Sequence, residues 1–451
     1  MNIFFVSLGC DKNLVDSENM LGILHKNGYQ ITQEEQKADI IIINTCCFIH
    51  DAKQESINTI LEMAQYKKNG SCKALIVTGC LAERYKEEIL TEIPEVDALM
   101  GTSSFTGILQ VVEELTEGQQ HTHFDSLDLP PVAATGRILT SGTHSAYLKI
   151  AEGCDKHCTY CVIPRVRGNY RSIPMEDLLE EAEYLSAQGV KELILVAQET
   201  TLYGFDLYGR KALPELLGKL AKIPGIAWIR LLYCYPEEIT EELIAVIKAE
   251  PKLCHYLDIP IQHASDRILK LMGRRTDQAA LEQIIRKLRT EIPDITLRTT
   301  LITGFPTETE EEHKELLDFV KRQRFDRLGV FTYSKEEDTP AAKLKPQITA
   351  KVKKQRQKEL MQLQQTIVFE ETQAKIGRTF EVLTEGRITE EENLYIGRSY
   401  MDAPQVDGYL FFHAEEELLS GDLVTVKVKQ AKGYDLVGDI VKGSDMNESA
   451  E

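Results

Sequence analysis

Three closely spaced cysteines in the middle of the chain are the first residues that could do chemistry. They are Cys154, Cys158 and Cys161 in the stretch "CDKHCTYC", with three and then two residues between them. Zinc sites usually take four ligands in two close pairs, and no second pair accompanies these cysteines. Cubane iron–sulfur clusters normally take four thiolates, so three would leave one iron without a protein ligand. The spacing of this first trio therefore predicts a cluster with one open iron.

Three more cysteines follow apolar runs in the first eighty residues. Cys10 follows "FFVSLG", Cys46 follows "IIIINT" and Cys80 follows "ALIVTG". Each lies just past the carboxyl end of a predicted parallel strand, at the sheet edge where ligands bind in open α/β folds. The pattern predicts that this second trio converges on another cluster, again with one open iron. Cys47 adjoins Cys46 and is a rival ligand.

The other cysteines and the composition place the chain in a reducing compartment. Cys72, Cys234 and Cys254 lie within or beside apolar runs, where packed thiols are expected. The N-terminus "MNIFFVSLGC" lacks the features of an export signal, and no run of about 18 apolar residues offers a membrane span. A cytoplasmic location and no membrane partner are therefore expected. Ten cysteines there would stay reduced, which favours metal ligation, catalysis or burial over disulfides.

The elements that must position the second trio are predicted for residues 1–116. Apolar runs such as "NIFFVSL", "DIIIINT" and "KALIVTG" alternate with amphipathic stretches. This is the βαβ pattern of an open parallel sheet with helices on its faces. Residues 117–143 have the composition of a loop and are predicted to be a linker.

A longer alternation of strand and helix patterns covers residues 144–346. Six predicted strands separated by helices indicate a partial or closed β/α barrel, and the first trio follows the first of these strands at its carboxyl end. Residues 347–375 are predicted to form one connecting helix. Short β-rich runs with glycine at the turns predict a small antiparallel β-barrel at 376–441, and 442–451 is expected to be a frayed tail.

The first trio, with Tyr160 before its last cysteine, resembles the hallmark of the radical S-adenosylmethionine (SAM) enzymes. The resemblance implies that SAM occupies the open iron and is cleaved to a 5′-deoxyadenosyl radical, which removes hydrogen from an unactivated carbon. The phrases "SLGCDKN", "NTCCFI" and "VTGC" resemble the N-terminal domain of the methylthiotransferase branch, which has an auxiliary cluster. Two [4Fe–4S] clusters are therefore implied, with sulfur held at the second and a methyl group from a second SAM. The family more often has glycine at position 47, which favours Cys46.

Several polar residues at the predicted barrel mouth are candidates for SAM contact. The segment "LITGFPTETEEE" resembles the family's turn around SAM, where a glycine would permit close approach of the backbone. Glu199 stands where the nearest relatives are expected to have aspartate. For each polar candidate an ordinary solvated or capping side chain is the alternative. The predicted contacts are Tyr160, Gln198, Glu199, Arg298 and Gly304.

Two arginines and two histidines are the remaining candidate functional residues. Arg167 and Arg171 follow the first trio and suit recognition of a carboxylate or phosphate. His255 and His263 could suggest a base, but radical hydrogen abstraction requires none. They are expected to be structural or to contact the substrate.

Charge favours a basic protein substrate. The chain carries a net charge of −19, and residues 376–451 contain 7 Lys+Arg against 16 Asp+Glu, a net of −9. RNA affinity depends largely on cationic neutralisation, so this surface would repel RNA and attract a basic protein. The small barrel nevertheless resembles the TRAM domain, commonly an RNA-binding module. The phrases "YLDIPIQHASDRILKLMGR" and "IGRSYMDAPQVDG" resemble the branch of the family that acts on a ribosomal protein.

That branch implies methylthiolation of the β-carbon of an aspartate in small-subunit ribosomal protein S12. Two alternatives remain open: the same chemistry on an adenosine of transfer RNA, and an RNA-binding assembly factor that keeps clusters for structure. A monomer is expected, while the sequence reveals neither the sulfur donor nor the cellular reductant.

Overall fold

The computed structural model of the chain describes residues 1–118, 121–389, 391 and 393–441. The frayed tail predicted for 442–451 lies outside these residues. None of the helices in the described ranges combines the length and the apolar character needed to cross a membrane.

The N-terminal part is a six-stranded parallel sheet in the order β2-β1-β3-β4-β5-β6, which confirms the predicted fold. The isoleucine-rich β3 is buried along its whole length, because helices cover both faces of the sheet. The strands are β1 (Asn2–Ser7), β2 (Gln30–Ile31), β3 (Ile40–Thr45), β4 (Ala74–Gly79), β5 (Ala98–Met100) and β6 (His121–His123). The helices are α1 (Asp11–Lys26), α2 (His50–Ala64), α3 (Tyr66–Asn69), α4 (Cys80–Glu92) and α5 (Ile108–Thr116).

The sixth strand falls in the segment 117–143 that was predicted to be a linker. β6 pairs in parallel with β5, so the start of that segment belongs to the sheet. Three residues are too short to show the period-2 alternation that identifies a strand in sequence.

The middle of the chain is a partial β/α barrel, as predicted. Its six parallel strands lie in the order β14-β13-β12-β11-β10-β7, and β8 and β9 form a separate antiparallel pair. The strands are β7 (Ser145–Lys149), β8 (Ala151–Glu152), β9 (Arg171–Ser172), β10 (Glu192–Val196), β11 (Trp228–Leu231), β12 (Leu253–Asp258), β13 (Thr296–Thr303) and β14 (Arg327–Thr332). The helices are α6 (Ile163–Arg167), α7 (Met175–Ala187), α8 (Phe205–Tyr208), α9 (Leu213–Leu220), α10 (Glu241–Ala249), α11 (Asp266–Met272), α12 (Gln278–Glu291) and α13 (Glu310–Gln323).

A long helix, α14 (Ala350–Gln373), leads to a closed five-stranded barrel in the order β15-β16-β17-β19-β18. A small closed barrel was predicted, but not all of its pairs are antiparallel: β17 and β19 run parallel. Strand direction across a closing pair depends on topology, which alternation within single strands does not encode. The strands are β15 (Thr379–Arg387), β16 (Leu394–Ser399), β17 (Leu410–His413), β18 (Leu423–Lys432) and β19 (Asp435–Ile440).

A buried charge cluster joins the small barrel to the β/α barrel. Glu192, at the start of β10, accepts hydrogen bonds from Arg230 Nε of β11 at 2.7 Å and from Arg398 Nη2 of β16 at 2.6 Å. All three side chains are fully buried. Burial alone would raise the pKa of Glu192, but the two guanidinium groups lower it to about 2.

Replacing Glu192 by glutamine is expected to destabilise the chain by about 3–5 kcal/mol, because the buried guanidinium of Arg230 would lose its counter-charge and that of Arg398 would keep only Glu385. The folded-state pKa is lowered, so the carboxylate contributes stability that is present above its ordinary pKa of 4.5 and lost as pH falls toward about 2. Urea unfolding of the apo-protein across this pH range would check both points. Glu215→Gln is the matched control, since Glu215 pairs only with surface cations; an equal loss in both variants would contradict the expectation.

Candidate functional site

The second trio lies at the carboxyl edge of three neighbouring strands. Cys46 follows β3 directly, Cys80 follows β4 and begins α4, and Cys10 immediately precedes α1 after β1. The Sγ atom of Cys46 is 3.0 Å from the position that a Cβ on Gly9 would take, and Gly9 has φ +93°. Only glycine combines this backbone conformation with so close a neighbour. The loops of Cys10 and Cys46 are therefore in contact.

One buried amide connects all three of these loops. Asn13 Nδ2 donates to the carbonyls of Leu8 and Thr45, each at 2.9 Å. These carbonyls belong to the segments that lead into Cys10 and Cys46. The Oδ1 atom of the same amide lies 4.0 Å from Cys80 Sγ. The amide thus ties the ends of three strands together where the three thiols converge.

The structure distinguishes Cys46 from its neighbour Cys47. The Cys47 thiol donates to the carbonyl of Cys80 at 3.2 Å and packs in the apolar core of the N-terminal sheet. Burial raises the pKa of Cys46 to about 12, and the thiols of Cys80 and Cys10 both add to the shift. Cys46 therefore has the other two thiols as its electrostatic neighbours, which supports its proposed place in the trio.

The first trio is held in a compact loop after β8. Gly153 has φ +77°, and a Cβ there would lie 2.0 Å from the carbonyl oxygen of Asn169, so the loop requires glycine at this position. Cys161 N donates to the carbonyl of Cys158 at 3.0 Å. Burial raises the pKa of Cys154 to about 11, with the Cys158 thiol adding to the shift. The three thiols thus share one small, largely buried volume.

Both trios supply the type of donor that an iron–sulfur cluster binds. Among the residues that the structure describes, no three His, Cys, Asp or Glu side chains are grouped closely enough to bind one metal ion. A cubane binds its thiolates through different irons, so its ligands lie farther apart than those of one ion. All ten cysteines are free thiols, and soft thiolates are the donors that iron–sulfur clusters select.

The N-terminal sheet presents the second trio to the barrel mouth. Tyr233, in the loop after β11, donates its hydroxyl to Asp11 Oδ1 at 2.9 Å. The ammonium of Lys12 lies 3.4 Å from the centre of the Tyr233 ring and 3.1 Å from Asp11. Asp11 and Lys12 directly follow Cys10. The loop carrying Cys10 therefore sits over the carboxyl ends of the barrel strands, on the side where the first trio lies.

Four buried charges link the two domains between the trios. Arg167 Nη1 donates to Asp16 Oδ2 at 2.8 Å and to Glu152 Oε2 at 2.9 Å, and Lys149 pairs with the same two carboxylates. Burial alone would raise the pKa of Glu152, but Arg167 and Lys149 hold it well below its ordinary value. The expectation that Arg167 recognises a free carboxylate or phosphate is wrong for this structure, because its guanidinium is buried and already paired. Arg171 donates to the carbonyls of Asn169 and Arg167.

Two predicted SAM contacts lie together after β10, beside the first trio. Gln198 Nε2 donates to Glu152 Oε1 at 2.8 Å, and its Oε1 atom is buried without a hydrogen-bond partner among the described residues. Glu199 Oε2 also accepts no hydrogen bond from the described residues, although it is ion-paired at 3.6 Å with the ammonium of Lys156 in the first trio's loop. Burial raises the pKa of Glu199 to about 7. Both side chains therefore have acceptor oxygens available at the barrel mouth.

The other three residues predicted to contact SAM lie in three different surroundings. Tyr160 packs edge-on against Phe305, with 6.5 Å between the ring centres. A Cβ on Gly304 would meet Lys353 Cγ of α14 at 2.4 Å, so helix packing explains this glycine without a cofactor. Arg298 donates to Asp258 at 3.0 Å and faces Asp407 of the small barrel, away from any described contact with the first trio.

Arg274 is a candidate that the sequence analysis missed. Its guanidinium stacks 4.3 Å from the centre of the Tyr235 ring, and the Tyr235 hydroxyl lies 4.0 Å from Cys158 Sγ. Nη2 donates to the carbonyl of Pro260 at 2.8 Å, whereas Nε and Nη1 are buried with no hydrogen-bond partner in the described part of the chain. A buried cation with two free donors beside the first trio suits a carboxylate ligand. Only the tertiary structure reveals those free donors.

The two histidines considered as bases have structural partners. His255 pairs with Asp294 at 2.7 Å. His263 is fully buried, accepts from the backbone N–H of Ser265 at 3.0 Å, and has its pKa lowered to about 3 by burial. A neutral buried imidazole agrees with the expected structural role.

Each of the three parts of the chain matches a known protein family. The model of the uncharacterized protein family UPF0004 matches residues 2–101, the radical SAM superfamily matches 148–320, and the TRAM domain matches 376–441. The chain is 64% identical to ribosomal protein uS12 methylthiotransferase RimO of Lachnoclostridium phytofermentans, over 97% of this chain and 99% of that protein. It is 52% identical to the protein of that name from Acetivibrio thermocellus, over 97% and 98% of the two chains.

Among solved structures, the chain resembles the radical SAM methyltransferase TsrM of Kitasatospora setae. The TM-score is 0.56 at 13% identity, over 75% of this chain and 76% of that chain. At this identity the likeness shows a shared fold.

Proposed function

The chain belongs to the RimO family of ribosomal protein uS12 methylthiotransferases in the radical SAM superfamily, and from that premise we propose which residues hold its cofactors and which substrate it modifies. The family supports methylthio transfer to uS12 over the transfer-RNA alternative. The observation that carries the assignment to this structure is the convergence of two separate cysteine trios, one on each side of a single domain interface.

We assign one [4Fe–4S] cluster to each trio. Cys154, Cys158 and Cys161 would hold the first, and the second would lie on the trio that Asn13 ties together. When bound, the first cluster with SAM supplies radical cleavage of a carbon–hydrogen bond, and the second supplies a place for the incoming sulfur. The chain's own part is to enclose both sites: the Tyr233–Asp11–Lys12 contact and the buried charges around Arg167 exclude water and fix the two domains.

Polar groups around the first trio would bind SAM. The free donors of Arg274 suit its carboxylate, and the oxygens of Gln198 and Glu199 that accept no hydrogen bond from the described residues suit donors such as the amino or ribose hydroxyl groups. Gln198 is fixed by Glu152, so its acceptor oxygen has a defined direction. These assignments would place hydrogen-bonding groups around both the amino-acid end and the ribose of SAM.

Replacing Arg274 by methionine is expected to weaken SAM binding about 10–100-fold, because a charge-assisted hydrogen bond contributes about 1.5–3 kcal/mol. Isothermal titration of SAM into the reconstituted protein would measure the loss. Arg298→Met is the control, since Arg298 is an arginine of the same barrel whose guanidinium is ion-paired with Asp258 and Asp407 and faces the small barrel. A wild-type Kd for Arg274→Met, or an equal loss in Arg298→Met, would contradict the role assigned to Arg274.

We propose that the group modified is the β-carbon of an aspartate in uS12. Ribosomal proteins that bind RNA carry many cations, and residues 376–451, the small barrel together with the tail that follows it, carry a net charge of −9. Such charges favour encounter with a basic protein and oppose a phosphate backbone. The cytoplasm, where ribosomes are assembled and thiols stay reduced, is the proposed location; the expected monomer stays a prediction.

Incubation of the reconstituted protein with SAM, a reductant and either purified uS12 or transfer RNA tests this function. Intact-mass analysis should show a methylthio group in place of one hydrogen on uS12, and peptide fragmentation should place it on an aspartate. A mass gain on transfer RNA alone would overturn the assignment. Clusters without 5′-deoxyadenosine formation would instead favour the assembly-factor alternative.

A further inference from the structure

The guanidinium of Arg167 reaches from the first trio's loop into the second trio. Arg167 ends α6, six residues after Cys161, yet its Nη2 donates to Asn13 Oδ1. The same Asn13 Oδ1 lies 4.0 Å from Cys80 Sγ, and the charge of Arg167 acts electrostatically on Cys80 and Cys10. Asn13 is the amide that ties the three loops together. Arg167 is therefore a buried cation that contacts this amide directly and lies close to the thiols that the amide ties together.

The same guanidinium is held rigidly from the side of the first trio. Its Nη1 donates to Glu152, which precedes the first trio's loop and accepts from Gln198. Asp16 fixes Nη1 from α1 at 2.8 Å. Arg167 is only 2% exposed, so its charge is poorly screened by water. A fixed buried cation beside thiolates stabilises added negative charge there.

We propose that Arg167 is a positioning residue that sets the reduction potential of the second cluster and holds its ligand loops in register with the first. The inference rests on the proposed function. Hydrogen bonds to sulfur and local charge are the levers by which proteins tune such clusters, and a cation favours the reduced form because reduction adds an electron. Removing the cation is therefore expected to shift the potential of the second cluster to a more negative value.

The test is an electron paramagnetic resonance redox titration of the full-length chain. Cys154, Cys158 and Cys161 are replaced by alanine in every sample, so that only the second cluster gives a signal. Arg167→Gln should shift its midpoint potential to a more negative value, whereas Arg167→Lys, which keeps the charge, should stay closer to wild type. Arg171→Gln is the matched control, since it removes a charge four residues away whose donors face backbone carbonyls.

Each outcome decides the proposal. A negative shift confined to Arg167→Gln supports it, as does loss of iron in Arg167→Gln with retention in Arg167→Lys. An unchanged potential in Arg167→Gln, or the same shift in Arg171→Gln, overturns it. A background chain that binds no iron at all would count against the second cluster itself, and so against the proposed function.

An independent observation concerns the outer surface of the N-terminal sheet. A groove of about 450 Å³ runs between α2 and α4. Its apolar floor and walls are Ile57, Leu61, Leu81, Tyr85, Ile89 and Ile93. Its rim carries Glu88 and Glu92 of α4, Lys53 of α2 and Glu337 of the loop after β14, and Glu337 is ion-paired with Lys53 and Arg84. Leu61 is 49% exposed, so the groove presents apolar surface to water.

The groove is continuous with the site in sequence and in space. Its helix α4 begins at Cys80, and its rim residue Glu337 pairs with Lys53 of α2 at 3.3 Å, next to the barrel mouth. An apolar cleft edged by the carboxylates of Glu88 and Glu92 complements a segment that carries both apolar and basic side chains. We propose that this groove docks such a segment of the ribosomal protein substrate, which again rests on the proposed function.

Leu61→Asp should raise KM for uS12 at least tenfold and change kcat less than twofold, because docking is lost while the reaction site is intact. Leu207→Asp, on α8 with a similar exposure of 45%, is the control and should leave KM unchanged. An unchanged KM in Leu61→Asp overturns the proposal. This holds equally if sedimentation shows that the groove joins two copies of the chain. Failure of the wild-type protein to modify uS12 would refute the proposed function rather than the groove.

Discussion

Cys158→Ala is expected to abolish reductive cleavage of SAM. The residue is the middle cysteine of the first trio, and its thiol neighbours both Cys154 and Cys161. Loss of a partner outside the coordination shell typically costs about 10–100-fold, so loss of a ligand should cost at least about 100-fold in 5′-deoxyadenosine formation. The variant should also lose about four of its irons, since two thiolates do not retain a cubane. Liquid chromatography of the nucleoside and iron analysis measure the two effects.

The matched control for this variant is Cys254→Ala. Cys254 is buried in an apolar cluster of β12 with no other thiol in that cluster, so its loss should leave a small cavity and full iron content. Iron and cleavage at wild-type levels in Cys158→Ala would contradict the assignment of the first trio. Equal losses in both variants would point to general misfolding.

Cys46→Ala is expected to separate the two tasks of the protein. The second cluster should be lost, with about four irons remaining, while the first trio still supports SAM cleavage. Formation of methylthiolated product should fall at least about 100-fold, because the sulfur would have no site. Mass spectrometry of uS12 and chromatography of 5′-deoxyadenosine from the same reaction would measure the split.

Cys47→Ala provides the control at the next position. Its thiol donates to a backbone carbonyl and packs in the core, so the variant should keep its irons and its product yield, at some cost in stability. If Cys47→Ala loses the cluster and Cys46→Ala keeps it, the choice between these two cysteines is reversed.

The positions of both trios could be predicted because strand ends are visible in sequence. Buried parallel strands appear as continuous apolar runs, and the residue after each run must lie at the same sheet edge. Three such strand ends in one parallel sheet therefore predict that Cys10, Cys46 and Cys80 lie close together, although they are far apart in sequence. The local spacing of the first trio needed no tertiary information at all.

The contacts of individual side chains cannot be predicted from strand and helix patterns. Arg167 looks like an available anion-binding group in sequence, but domain packing buries it between Asp16 and Glu152. The sequence around Arg274 does not indicate a binding role, because its ability to bind a carboxylate depends on N–H donors that the fold leaves without a partner among the described residues. Gly304 matches a cofactor turn in sequence, whereas the structure fills the space above it with Lys353. Each of these differences arises from residues distant in the chain.

The proposed function requires two clusters in one chain, and anaerobic iron and sulfide analysis of the reconstituted wild-type chain tests this requirement most directly. About eight irons and eight sulfides per chain are predicted, falling to about four in Cys46→Ala and unchanged in Cys47→Ala. About four irons in the wild-type chain, with no further loss in Cys46→Ala, would show that the thiols at the edge of the N-terminal sheet hold no cluster.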